Sequence, residues 1–163
     1  MSIDSIAAVR ASERRQRIVN VSADTAWQVV GRPELLHLWF PGIVDCKVEG
    51  TTRTITTGIG LALAEDILTN DPVQRRFQYR IAGGLFKEHL ASIDVIALTP
   101  TSCVITYASD ADPATMAIVL GGATAGALDE LAQQLESGAG PAIDALNGGV
   151  TVSPQPLATE ATT

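Results

Sequence analysis

Apolar residues late in the chain recur every three or four positions between residues 112 and 136. This spacing places them on one face of a helix. The face consists of Met116, Leu120, Ala123, Ala127, Leu131 and Leu135. Asp112 and Pro113 are typical of a helix start, because Asp caps a free N–H and Pro needs no partner at the first helical position. Ser137 and Gly138 are a typical stop. The pattern predicts one long helix of about six to seven turns.

Three glycines, Gly121, Gly122 and Gly126, interrupt the middle of this helix. Each destabilises a helix by roughly 1 kcal/mol relative to alanine. They indicate either close packing of the helix on a sheet or a bend. The alternative is a hinge, or a thin helix wall beside a ligand cavity.

The preceding part of the chain is dominated by strand patterns separated by turn residues. Residues 15–21 alternate polar and apolar and predict a first strand. Two short helices follow at 23–30 and 34–38, the first capped by Ser22. Further strands are predicted at 43–49, 53–57, 61–68, 76–81, 87–98 and 103–109. Short connections favour antiparallel neighbours. The predicted fold class is α+β, with a curved seven-stranded antiparallel sheet wrapped around the long C-terminal helix.

Composition supports one folded domain, since 46% of the 163 residues are hydrophobic and 18% are charged. We expect a domain over residues 15–137, between a flexible arm at 1–14 and a flexible Gly- and Pro-rich tail at 138–163. Residues 142–146 could form one helical turn. No apolar run is long enough for an integral membrane segment, and residues 1–16 lack the apolar core of a signal peptide. A cytoplasmic location is the default expectation.

The net charge and its distribution limit the classes of molecule that the protein is expected to bind. The net charge is −7, and basic residues cluster only at Arg14, Arg15 and Arg17 and at Arg75 and Arg76. Nucleic acid and anionic membranes are therefore not expected as partners, because both require a concentrated positive surface.

The two cysteines, Cys46 and Cys103, lie in apolar strand patterns and are expected to be buried thiols. No cysteine or histidine spacing suits a metal, and no cofactor is expected.

Several segments, in this order, resemble one family. They are residues 22–30, Trp39-Phe40-Pro41, Gly50-Thr51-Thr52-Arg53, residues 65–68, residues 77–81 and residues 89–95. They are similar to the bacterial SRPBCC or polyketide cyclase/dehydrase-like branch of the helix-grip proteins, which include START domains and birch-pollen-allergen-like proteins. The chain departs from the branch where Asp66 replaces an Arg, His89 a common Tyr and Tyr107 a common Trp. The resemblance implies a cavity for a hydrophobic ligand between sheet and helix, and in some members cyclase, dehydratase or hydrolase chemistry.

Strand alternation independently predicts which side chains face the interior. The inward positions are apolar except for Arg53, Glu65, Tyr79, His89, Tyr107 and Ser109. Sparse polar groups in an apolar concavity are typical of a small-molecule site. With the resemblance, the expected ligand-binding residues are Trp39, Arg53, Glu65, Phe77, Tyr79, His89, Tyr107, Met116 and Leu120.

Each of these polar residues also has a purely structural interpretation. Arg53 and Glu65 can pair with each other, because a buried charge needs a partner. His89 can be a core histidine, and the two tyrosines can be core aromatics with bonded hydroxyls. Trp39 can belong to the core or to a ligand wall.

Three functions remain open. The leading hypothesis is binding of a small hydrophobic, lipid- or polyketide-like molecule between sheet and helix by a monomer or homodimer. The second is a cofactor-independent aromatase/cyclase or dehydratase, with His89, Tyr107 and Arg53 as catalytic candidates and Tyr79 as an alternative donor. The third is a protein-interaction module whose apolar helix or tail binds a partner and whose interior is filled.

Overall fold

The computed structural model describes residues 10–148. Seven strands form one antiparallel sheet in the order β1-β7-β6-β5-β4-β3-β2. The strands are β1 Ala11–Val19, β2 Ile43–Glu49, β3 Thr52–Thr57, β4 Ala62–Asp71, β5 Arg76–Ile81, β6 Glu88–Thr99 and β7 Ser102–Asp112. Consecutive strands from β2 to β7 pair as neighbours, and β1 adds to β7. The predicted α+β fold is confirmed.

In the described part of the chain, four helices accompany the sheet: α1 Ala23–Val30, α2 Leu36–Trp39, α3 Ala114–Ser137 and α4 Pro141–Leu146, with a 3-10 turn at Pro33–Leu35 before α2. The Ser22 side chain accepts the Thr25 N–H at the start of α1, as predicted. Gly138 ends α3 in the left-handed conformation (φ 64°), which glycine adopts without steric cost.

The predicted start of the long helix was wrong. Asp112 is the last residue of β7, where it pairs with Glu88 of β6. Its carbonyl oxygen accepts the Lys87 N–H at 2.8 Å. Pro113 is the N-cap of α3 and gives no side-chain cap. Asp112 is therefore paired in the sheet and does not serve as the helix N-cap that the local sequence predicted.

Helix α3 crosses the inner face of the sheet and packs chiefly on β1 and β7. Its buried residues include Ala127, Leu131 and Leu135, as predicted, but Ala123 is exposed. Gly121 is buried where a Cβ atom would lie 3.1 Å from the Arg15 guanidinium. Close packing explains this one glycine. At Gly122 and Gly126 a Cβ atom would meet nothing within 4 Å among residues 10–148, apart from the adjacent helix backbone.

The ordered domain extends beyond both predicted boundaries. Strand β1 begins at Ala11, so residues 11–14 belong to the sheet and not to an arm. Helix α4 lies in the predicted tail, and Ala142 is fully buried. The Gln134 amide holds it there, since Nε2 donates to the Leu38 carbonyl and Oε1 accepts the Ala142 N–H, both at 2.9 Å. The rest of the predicted arm and tail lies outside the described residues.

Within residues 10–148, no helix is both long and apolar enough to span a bilayer. Cys46 and Cys103 are both buried free thiols, as predicted.

Candidate functional site

A buried ion pair joins β3 and β4, the second and third strands from the β2 edge of the sheet. Arg53 of β3 stands directly opposite Glu65 of β4 in the strand register. Its Nε donates to Glu65 Oε2 at 2.5 Å, and each side chain is 2% exposed. Burial raises the pKa of the Glu65 carboxyl, and the Arg53 charge opposes that shift. Arg53 and Glu65 thus pair with each other, as in the structural interpretation of these residues given above.

Two tyrosines join this pair. The Arg53 guanidinium carbon lies 4.6 Å from the centre of the Tyr79 ring and 5.2 Å from that of Phe77. The Tyr79 hydroxyl lies 2.5 Å from the Tyr107 hydroxyl. The two tyrosines come from β5 and β7, and the β6 residue paired with Tyr79 is Ala91, whose side chain is small.

Both phenols stay protonated at neutral pH. Burial raises the pKa of Tyr107 to about 12 and that of Tyr79 well above its usual range. The hydroxyl pair thus holds two protons and uses one in its mutual bond. One O–H remains to donate to a further acceptor.

His89 of β6 lies in an aromatic environment and is 6% exposed. Its ring centre is 5.0 Å from that of Phe86 and 5.7 Å from that of Tyr79. The Nδ1 atom accepts the Ile81 backbone N–H at 2.9 Å. Burial lowers the pKa of His89 to about 4, so the ring is neutral at pH 7. Because Nδ1 is an acceptor, the hydrogen of the neutral ring is on Nε2.

Buried donors in this region lack acceptors. Arg53 Nη2, His89 Nε2 and Trp39 Nε1 have no hydrogen-bond partner within residues 10–148. A buried donor left unsatisfied costs about 1–3 kcal/mol. All three groups require an acceptor that the described side chains do not supply.

The remaining predicted residues lie around this cluster. Trp39 is buried and its ring centre is 6.2 Å from that of Phe40, which meets the Tyr107 ring edge-on at 6.3 Å. Met116 and Leu120 of α3 are half-buried and pack against the core. The structure therefore places the inward strand residues together and the two α3 residues at their margin.

Cys46 and Phe86 were not predicted as parts of this region. Cys46 lies opposite Ile55 and donates from Sγ to the Pro33 carbonyl oxygen at 3.3 Å. Burial raises its pKa to about 11, although the Arg53 charge lowers it. Alternation along β2 could have identified Cys46, whereas Phe86 lies in a loop that carries no such pattern.

Two surface depressions lie away from the polar cluster. One, of about 200 Å³, is lined by residues 37–43 and Glu130. The other, of about 580 Å³, lies between α1, the end of α3 and α4. The linings of these two do not include Arg53 or His89, and both side chains are buried. Among residues 10–148, no group of three acidic, His or Cys side chains is arranged to hold a metal ion.

The sheet order, with a long helix across its concave face, defines a helix-grip protein. Over residues 10–136 the chain matches the family described as polyketide cyclase / dehydrase and lipid transport. It belongs to that family, as the resemblance predicted.

Similar folds occur among solved structures. An uncharacterized protein from Bacillus thuringiensis is 20% identical, with a TM-score of 0.71 over 77% of this chain and 98% of that one. Norcoclaurine synthase from Thalictrum flavum is 20% identical, with a TM-score of 0.65 over 82% and 90%. A START superfamily protein from Mycobacterium smegmatis is 17% identical, with a TM-score of 0.61 over 77% and 94%. These likenesses show the fold alone. Comparison with curated proteins gives no match.

Proposed function

We propose that the protein binds a small, mainly apolar molecule between the sheet and α3, and that the molecule carries an acceptor oxygen. The observation that supports this is the set of buried donors without acceptors, Arg53 Nη2 and His89 Nε2, beside the spare Tyr79–Tyr107 hydroxyl proton. Apolar side chains surround them, including Phe77. A ligand oxygen would satisfy donors that the folded chain leaves unpaired.

The charges favour a neutral oxygen over a carboxylate. Glu65 already balances the Arg53 charge, and His89 is neutral because its pKa is about 4. The spare groups are therefore donors in a site of no net charge. An anion there would be an uncompensated buried charge, which is costly. Ketones, esters and similar carbonyl compounds with lipid- or polyketide-like chains fit best.

Native mass spectrometry of the purified full chain tests the proposal first, by showing whether a small molecule co-purifies. Titration with an alkyl ketone, an alkylamine and an alkane of equal length then tests whether binding requires an acceptor oxygen. We expect the ketone to bind at least tenfold more tightly than the other two. If neither a co-purified molecule nor binding of any of the three probes is found, the interior is filled and the proposal fails.

A matched pair of variants locates the site. Replacing both partners of the buried pair (Arg53→Met with Glu65→Leu) removes one of the donors without leaving a lone charge, and should weaken the preference for the ketone. The control replaces Arg80 and Asp66 in the same way. They form an exposed ion pair on the other face of β4 and β5. Equal loss in both double variants would contradict the assignment.

A cyclase or dehydratase is the second candidate, and the same donors favour it because they would polarise a carbonyl. The structure favours a particular role for His89. Its Nδ1 lone pair is occupied by the Ile81 N–H, so Nε2 donates and the ring does not act as a base. His89→Ala should abolish turnover of a polyketone substrate if the protein is an enzyme, and should change ketone affinity only modestly if it is a carrier.

A further inference from the structure

The outward face of α3 is apolar in its first half. No charged residue occurs between residues 114 and 128. Ile118 and Val119 are 65% and 63% exposed, and Gly122, Ala123 and Gly126 continue the same face along the helix, also exposed. These five residues are called the α3 outer face below. Large exposed apolar side chains beside small ones are the composition of a contact surface.

The glycines of this face are not explained by the fold of one chain. Glycine destabilises a helix relative to alanine. At Gly121 the nearby Arg15 and Glu13 side chains account for the missing side chain. At Gly122 and Gly126 a Cβ atom would meet no described residue within 4 Å beyond the adjacent helix backbone. A shallow groove is therefore open to the outside at these two positions.

We propose that the α3 outer face packs against the same face of a second copy of the chain, with the two helices antiparallel and Gly122 at the two-fold axis. In this register Ile118 of each copy lies opposite Gly126 of the other. The large side chains of each copy thus enter the groove on the α3 outer face of the other copy. A two-fold contact requires such self-complementarity, and small residues allow the helices to approach closely.

Charge selects the same arrangement. Asp129 lies on the outward side one turn beyond Gly126, and it forms an ion pair with Arg17 of its own chain. A parallel helix pair would place Asp129 against Asp129 in a protein of net charge −7. The antiparallel register places it opposite Thr115. It also brings Asp129 and Glu130 of each helix beside the positive first turn of the other, which carries no acidic residue of its own.

Analytical ultracentrifugation of the full chain tests the proposal. We expect a dimer at micromolar concentrations, and at least tenfold weaker association for Gly126→Leu, which fills the groove. Leucine favours helix over glycine, and a Cβ atom at this exposed position meets no described atom within 4 Å outside the adjacent helix backbone. This variant should therefore melt no lower at a dilution where both proteins are monomers. Val73→Leu, at a residue that is 87% exposed in the β4–β5 turn, should leave association unchanged. A monomeric wild-type chain, or a Gly126→Leu variant that dimerises normally, would overturn the proposal.

Disulfide trapping tests the register. Gly122→Cys should cross-link to itself, and Ile118→Cys should cross-link to Gly126→Cys in a mixture. Ile118→Cys alone should not, because the two Ile118 positions would be roughly 12 Å apart along the axis and a disulfide spans less than about 7 Å between Cα atoms. The native Cys46 and Cys103 are buried. Efficient cross-linking of Ile118→Cys alone would show a different contact and refute the antiparallel register.

Discussion

Breaking the Arg53–Glu65 pair from one side should be strongly destabilising. In Arg53→Met, a carboxylate that is 2% exposed loses its only ion-pair partner within the described residues. Removing one member of a buried pair costs about 3–5 kcal/mol. Lost contacts with the Tyr79 and Phe77 rings add to this. Since whole domains are stable by only about 5–15 kcal/mol, the variant should unfold at low urea concentration.

The double variant with Glu65→Leu separates loss of the pair from the burial of a lone charge. It should recover most of the stability, because an apolar pair of similar volume is often neutral or stabilising. The surface variant Arg80→Met should lose less than about 1 kcal/mol, because its ion pair with Asp66 is exposed to solvent. Urea unfolding followed by tryptophan fluorescence measures all three.

The pH dependence gives a second check on Arg53→Met. Without Arg53, the pKa of Glu65 rises further, since burial alone remains. When the pKa of a carboxyl is higher in the folded state than in the unfolded state, the carboxyl destabilises the folded state where it is ionised and not where it is protonated. The stability deficit of Arg53→Met, measured relative to the wild-type protein, should therefore be largest at neutral pH. It should shrink as the pH falls through the folded-state pKa of Glu65. A deficit below about 1 kcal/mol, or one independent of pH, would refute a buried, paired Glu65.

Two further predictions concern His89 and Gln134. Because burial lowers the pKa of His89 from 6.5 to about 4, the unfolded chain binds its proton first, and roughly 3 kcal/mol of stability should be lost as the pH falls through that window. His89→Leu should remove this part of the acid slope in urea titrations at several pH values, and an unchanged slope would contradict the buried, neutral ring. Gln134→Ala leaves the Leu38 carbonyl and Ala142 N–H unpaired, and should cost about 2 kcal/mol and speed hydrogen exchange at Ala142. The exposed Gln133→Ala is its control, and equal exchange rates in the two variants would show that Gln134 does not hold α4.

Period-two alternation predicted which strand side chains lie in the interior, because a strand sends successive side chains to opposite faces. It placed Arg53, Tyr79, His89 and Tyr107 inward, and all four are buried. It could not predict that Tyr79 and Tyr107 touch, because their strands are separated by β6 and the contact depends on the curvature of the sheet. Nor could it show that the Ile81 amide fixes the His89 tautomer, since that bond joins a side chain to a backbone in another strand.

The two ends of α3 show what local sequence patterns can and cannot predict. Local chemistry identified Gly138 correctly, because a left-handed stop is a property of a few residues. It assigned Asp112 wrongly, because the residue pairs with β6 in the sheet. The buried face of α3 was also only partly predicted. Ile118 and Val119 make the first half apolar on every side, so the sequence does not define which side faces the core.

The place of β1 in the sheet bears on how the chain folds as it is made. Ala11 pairs with Ala111 and Val19 with Cys103, so β1, the first strand of the described residues, pairs with β7, the last of them. Pairings so distant in sequence slow folding, because a long loop must close before they form. Until then β1 has both edges open. Arg14, Arg15 and Arg17 make it a charged segment, which discourages pairing with strands of other chains. We therefore expect these arginines to reduce pairing of an open β1 with strands of other chains during folding.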